Sequence, residues 1–270
     1  MPAALIRRAG LALLLAAFGA ALAAPALAQA QKAPSVSSST YEPAPGQAGK
    51  DVMWLPTPQA LVEKMLDMAK VTPGDYVMDL GSGDGRTVIA AARRGARALG
   101  VEYNPDMVAL SRRNAEKEGV AGKAEFIKAN LFETDFSSAS VITMFLLPDI
   151  NLALRPKILA LKPGTRIVSN NFDMGDWKAD ETATLTAADG CTTYYCTALL
   201  WIVPVRAAGS YKTPRGELVL KQEFQMLSGA LTSAGKTFAV EGRVRGEDIT
   251  ITTEGRAYRA RMNGKNLELQ

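Results

Sequence analysis

The stretch Val77-Met78-Asp79-Leu80-Gly81-Ser82-Gly83-Asp84-Gly85-Arg86 constrains this chain more than any other. Val77, Met78 and Leu80 give the apolar run of a buried strand. Gly81, Gly83 and Gly85 then allow a tight turn and a close ligand approach that a Cβ would obstruct. The apolar segment Thr87–Ala92 opens a helix whose first N–H groups and positive dipole end face whatever sits on the turn.

Strand and helix patterns alternate around this turn. Strands are expected at 76–80, 97–102, 124–128, 140–146 and 165–171, and helices at 86–94, 105–118 and 150–161. A further helix should begin at Pro58, capped by Thr57, and run through Leu61, Met65 and Met68. Such alternation implies an α/β, doubly wound, mostly parallel Rossmann-like sheet with helices on both faces. Ligands then bind beyond the carboxyl ends of the strands, where Gly81–Arg86, Glu102, Asn130 and Leu147-Pro148-Asp149 all fall.

After Trp177, residues 182–186 and 193–205 read as an antiparallel hairpin at the sheet edge. Residues 207–270 hold only short strands and hairpin turns, with one strand spanning 217–227. They read as a small antiparallel β appendage, too short for an independent barrel, packed on a main domain at 51–206.

The N-terminus has Arg7-Arg8, an apolar run from Leu11 to Leu22, and Ala26-Leu27-Ala28 before Gln29. This pattern is that of a secretory signal peptide cleaved after Ala28, placing the mature chain in the periplasm. Residues 29–50 are rich in Ser, Pro, Gly and Ala and are expected to be a disordered linker. Cys191 and Cys196 enclose four residues, and their spacing leaves both a disulfide and two free thiols open. The chain has no histidine, which excludes Ser-His-Asp chemistry and His-ligated metals; two thiols do not make a zinc site. A net charge of +4 without a Lys/Arg tract gives no reason to expect nucleic acid, and leaves association with the envelope open.

The glycine spacing separates two nucleotide classes. A dinucleotide loop has a third glycine where this chain has Arg86, and here Asp79 precedes the first glycine by two positions. Asp79-Leu80-Gly81-Ser82-Gly83-Asp84-Gly85 resembles the first motif of class I S-adenosylmethionine-dependent methyltransferases. The resemblance implies that Gly81 and Gly83, with Ser82 and Gly85, line the methionine part, with Asp79 near its amino group. Glu102, 23 residues after Asp79, is placed to accept from ribose hydroxyls. Asn130 and Leu131 stand where the family commonly has an acid followed by an apolar residue at the adenine. Read with Leu55-Pro56-Thr57-Pro58, Phe145–Asn151, Leu161–Ser169 and Phe172–Trp177, the chain over 52–205 resembles bacterial relatives of the protein-lysine methyltransferases that modify the ATP synthase c subunit and the adenine nucleotide translocase.

That resemblance implies a protein or small-molecule methyl acceptor, a protein lysine foremost. A lysine nucleophile must lose its proton, and Asp149, after the fourth strand, is the catalytic candidate; its alternative role is to cap the helix that follows. By the same resemblance Pro148 shapes the fourth-strand loop that holds the acceptor, while Asn170, Asn171, Asp173 and Trp177, beyond the fifth strand, could form the rim. Two competing readings remain: an exported binding protein that keeps the nucleotide fold without turnover, and a small-molecule methyltransferase.

Overall fold

The computed structural model describes residues 41–270, which form one unit. The expected signal peptide at 1–28 and the linker segment 29–40 lie outside the described residues.

The first sheet contains β1 (Tyr76–Leu80), β2 (Arg97–Glu102), β3 (Ala124–Lys128), β4 (Val141–Met144), β5 (Arg166–Asn170), β6 (Glu181–Thr184) and β7 (Thr197–Ile202). Its order is β3-β2-β1-β4-β5-β7-β6, with the first five strands parallel and β7 and β6 added antiparallel. The last two are the expected edge hairpin. Strand order reverses between β1 and β4, so a crevice opens beyond their carboxyl ends.

Side-chain alternation in β1 divides the core. Val77 faces one layer, where α1 (Gln59–Met68), α2 (Arg86–Arg93) and α3 (Pro105–Lys117) bury Leu61, Val88 and Val108. Met78 and Leu80 face the other, with Ile150, Leu154 and Ile158 of α4 (Pro148–Leu159). Both faces are thus covered, which explains the near-continuous apolar runs of these strands.

Two helix starts differ from expectation. Thr57 does not cap α1: Pro58 is still extended at ψ 137° and the helix begins at Gln59. The Thr57 hydroxyl instead accepts from Asn170 Nδ2 at 3.3 Å, and its carbonyl accepts from Arg86 Nη1 at 2.8 Å. Helix α4 begins at Pro148, whose fixed φ suits the first helical position.

The disorder expected over 29–50 does not hold at residues 46–50, which pair with 52–54. Gly46 N–H donates to Trp54 O at 2.8 Å, Gly49 N–H to Val52 O at 2.9 Å and Trp54 N–H to Gln47 O at 2.9 Å. This small hairpin has its own backbone pairing and lies over the crevice as a strap, so low apolar content did not leave it unpacked.

The appendage is more than a short meander. Strands β8 (Gly209–Thr213), β9 (Gly216–Glu223), β10 (Met226–Ser233), β11 (Lys236–Arg245), β12 (Asp248–Thr253), β13 (Arg256–Asn263) and β14 (Asn266–Leu269) run in sequence order, and β14 returns to lie near β8. The sheet curls into a nearly closed barrel around Leu218, Leu220, Leu231, Val240, Ile249 and Ile251. It thus has an apolar core of its own, contrary to the expectation that it was too short for a barrel.

It also docks on the first sheet. Gln225 Nε2 donates to Lys178 O at 2.7 Å, Val205 N–H to Gly246 O at 2.7 Å, and Arg243 pairs with Asp180 at 2.6 Å. The expected rim residue Trp177 is instead fully buried at this junction, stacked on Phe224 at 6.0 Å, with its carbonyl accepting from Trp201 Nε1 at 2.7 Å. Trp177→Ala should lower unfolding stability by about 3–5 kcal/mol in chemical denaturation. A loss below about 1 kcal/mol would show that the junction does not hold the fold together.

Candidate functional site

The crevice beyond β1 and β4 is a cleft lined by the glycine turn, Glu102, Asn130, Leu131, Leu146 and the strap. The turn is held from both sides. Gly81 N–H and Ser82 N–H both reach Val101 O, at 2.9 and 3.1 Å, and Gly83 N–H donates to Glu102 Oε2 at 3.0 Å. Glu102 Oε1 accepts from Asn104 N–H at 2.9 Å, so one carboxylate ties the turn to the start of α3. Each of its oxygens keeps a lone pair for a further donor.

Asp79 is the most buried acid of the cleft. It sits on the central strand, and its Oδ1 accepts from Thr143 Oγ1 at 2.7 Å, the residue beside it on β4. Burial, strengthened by the nearby Glu102 and Asp84 carboxylates and opposed by the Thr143 bond, pushes its carboxyl up from 3.8 to about 7. A cation brought against it would restore the ionised form.

The glycines divide in role. Gly83 has φ +53°, and a Cβ there would stand 2.5 Å from Trp54 Nε1 of the strap, so the strap can close only on a glycine. Gly81 faces the cleft too, its missing Cβ 3.1 Å from Leu146. Gly85 does not line the cleft: a Cβ would stand 2.7 Å from Phe126 and 2.9 Å from Ser111, so it is needed for packing of the turn on β3 and α3. Ser82 lines the cleft, yet its hydroxyl packs against Gly100 of β2 and has no protein partner.

Asn130 and Leu131 line the far end of the cleft. The Asn130 Oδ1 already accepts from Phe132 N–H at 3.1 Å and its Nδ2 donates to Glu133 at 2.8 Å, leaving one lone pair for a ligand. Asp149 is not brought in: it is exposed in the first turn of α4, lines neither this cleft nor the cavity beside it, and leaves the helix start at Leu147 without a side-chain cap. Cys191 and Cys196 are joined in a disulfide. Among the described residues no group of three or more His, Cys, Asp or Glu could hold a metal ion.

Residues that composition and spacing did not single out complete the site. Trp54 covers the glycine turn, and Asp51 on the strap lines both this cleft and a second cavity beside it. Phe145, just after β4, forms part of the wall between them.

The donor and acceptor set fits S-adenosylmethionine: a buried acid for its ammonium, Glu102 for its ribose diol, and Asn130 with Leu131 for its adenine. The cleft beneath the strap has a volume of about 110 Å³, below the roughly 300 Å³ at which ligand sites usually begin.

Residues 79–181 match the profile of the ANTKMT methyltransferase domain. The chain is 47% identical over 133 residues to a protein-lysine N-methyltransferase of Saccharolobus islandicus, covering 48% of this chain and 83% of that one. It is 33% identical over 165 residues to the human lysine N-methyltransferase of the ATP synthase c subunit, covering 57% of this chain and 70% of the human protein. An RNA methyltransferase from Salinibacter ruber, solved with S-adenosyl-L-homocysteine, superposes with a TM-score of 0.52 at 45% identity over 57% of this chain and 96% of its own.

Two outcomes follow from Asp79 and Gly83. Because the folded carboxyl titrates near 7, well above 3.8, the unliganded fold should lose stability as pH rises through that window, whereas S-adenosylmethionine binding should strengthen. Calorimetry should find affinity falling by up to about tenfold per unit below pH 7, a trend abolished in Asp79→Asn. A flat profile from pH 5 to 8 in the unsubstituted chain would refute the assignment of Asp79 to the ammonium. Gly83→Val should abolish binding, through collision with Trp54 and a disfavoured positive φ; normal binding by that variant would place the ligand elsewhere.

Proposed function

The chain belongs to the ANTKMT-type methyltransferase family and is an S-adenosylmethionine-dependent methyltransferase; from that premise we propose that it methylates the side-chain amine of protein lysines outside the cytoplasm. The observation that carries the acceptor reading is that the cofactor cleft shares a wall with a second cavity. Val52, Met53, Leu55, Phe145 and Leu146 line both. An acceptor in the second cavity therefore lies next to the cofactor cleft.

Bound S-adenosylmethionine supplies an already activated methyl group on a sulfonium. What is left to the protein is to align the acceptor, exclude water and receive a proton. A lysine amine is charged at neutral pH, with an ordinary pKa of about 10.4, and must become neutral to react. The apolar walls of Leu55, Phe145 and Leu146 disfavour the charged form. Asp51 is the one carboxylate among the residues lining both cavities, so it replaces Asp149 as the proposed proton acceptor.

The names of relatives support the lysine reading: proteins matched at 47% and 33% identity are called lysine methyltransferases. A second reading, transfer to RNA, is favoured by the name of the Salinibacter ruber protein. The proposal that the chain is exported and works at the envelope rests on Arg7-Arg8, the apolar run and Ala26-Leu27-Ala28, and is compatible with the Cys191–Cys196 disulfide. Labelled methyl transfer to a mixture of envelope proteins and total RNA, resolved by mass spectrometry, tests the acceptor. Label on lysine supports the proposal, and label confined to RNA overturns it.

The proton acceptor gives a finer outcome. Asp51→Asn should lower kcat by about 100-fold with little change in cofactor affinity, whereas Asp149→Asn should stay within about twofold of the parent in steady-state assays. The reverse pattern would return the role to Asp149.

A further inference from the structure

The second cavity has a volume of about 550 Å³ and is walled by Phe145, Phe172, Tyr194 and Tyr195, with the strap on its other side. Its rings form a row. Tyr194 meets Tyr195 edge-on at 5.1 Å, Tyr195 meets Phe145 at 5.3 Å, and Phe145 stacks on Phe172 at 6.1 Å. The row begins at Tyr194, 87% exposed, and reaches Phe145 in the shared wall of the cofactor cleft. Met53 and Leu147, at 61% and 44% exposure, line the same cavity, so three of the chain's exposed large apolar side chains gather here.

The loop that carries the two tyrosines is tied at both ends. A short 3-10 turn at Ala187–Asp189 precedes it, Cys191 N–H donates to Thr186 O at 3.0 Å, and Leu185 N–H donates to Cys196 O at 2.9 Å. The Cys191–Cys196 bridge then closes Thr192–Tyr195 into a four-residue bulge. An exposed aromatic side chain on a free loop would sample many positions; here the covalent closure confines Tyr194 and Tyr195 to the cavity mouth.

Resting on the lysine reading above, we propose that this aromatic row is the acceptor site, and that the disulfide-closed bulge positions a lysine side chain with apolar residues on either side of it. The four methylenes of lysine match the ring faces, and its ammonium is attracted to them on entry. Asp51 is the carboxylate in the cavity lining, and an entering ammonium would share it with Lys50. The exposed Met53, Leu147 and Tyr194 receive the flanking apolar residues. An RNA strand would instead want a basic groove, and Lys50, paired with Asp51 at 3.2 Å, is the one cation in the lining.

The test uses the full chain with its disulfide intact and a synthetic pentapeptide holding one lysine between leucine and alanine residues. Calorimetry without cofactor should show peptide binding that a norleucine version of the peptide loses. Tyr194→Ala, whose side chain is too exposed to unsettle the fold, should weaken peptide binding by about fivefold or more, and Tyr195→Phe should retain it. The double substitution Cys191→Ser and Cys196→Ser should also weaken it, while S-adenosylmethionine affinity stays within about twofold in every variant. In methyl-transfer assays the same variants should raise KM for the peptide more than they lower kcat. Peptide binding or KM unchanged by Tyr194→Ala and by opening of the bulge would overturn the site while leaving lysine methylation standing. A bound peptide that is never methylated, with label found only on RNA, would overturn the lysine reading and this inference with it.

Discussion

A carboxyl group buried in the middle of a parallel sheet, with a threonine hydroxyl as its single side-chain partner, is the constraint from which the site follows. Asp79 occupies a strand position that packing alone would give to an apolar residue. Its burial costs stability and is kept where strand order reverses, one turn from the glycines and close enough to feel Glu102 and Asp84. A cationic ligand group offsets that cost, while a neutral one would not. The glycine turn, the Glu102 tether and the closeness of Trp54 can all be understood as the surroundings that bring such a ligand onto Asp79.

The same economy of contact runs through the rest of the chain. Glu102 both fixes the turn and keeps acceptor capacity, and Phe145 closes one cavity while opening on the next. The barrel domain contributes none of the residues lining either cavity, yet its Phe224 packs on Trp177, which follows β5 and supports Trp201 on β7. It is thus tied to the first sheet at Trp177, Lys178 and Asp180 while standing outside both cavities.

Much of the sheet was readable in the residues because buried parallel strands are written as apolar runs and their turns as glycine clusters. Strands at 76–80, 97–102 and 124–128 fall where the pattern puts them. The hairpin that breaks 217–227 was not readable, since its turn is Phe224-Gln225 and Phe224 adopts φ 51°, a conformation foreign to a bulky residue. Stacking on Trp177 holds it there, and no local signal reports that. At the site, Asp79, Gly81, Gly83, Glu102, Asn130 and Leu131 converge on one cleft as their strand-end positions require. Asp149 stands exposed in the first turn of α4 and lines neither cavity, a placement that its position after the fourth strand does not reveal. Asp51 and Trp54 carried no signal because the small and polar residues just before them give no hint that the backbone of 46–54 folds into a hairpin over the cleft. Thr143 carried a faint signal, a lone hydroxyl in the apolar run Val141–Met144.

In this reading one ligand spans Asp79 and Glu102 in the cleft under the strap. Titration calorimetry with S-adenosylhomocysteine on the parent chain and on Glu102→Ala tests it most directly. A single saturable site is expected in the parent, and its loss in the variant. Undiminished binding by Glu102→Ala, or no binding by the parent, would contradict it.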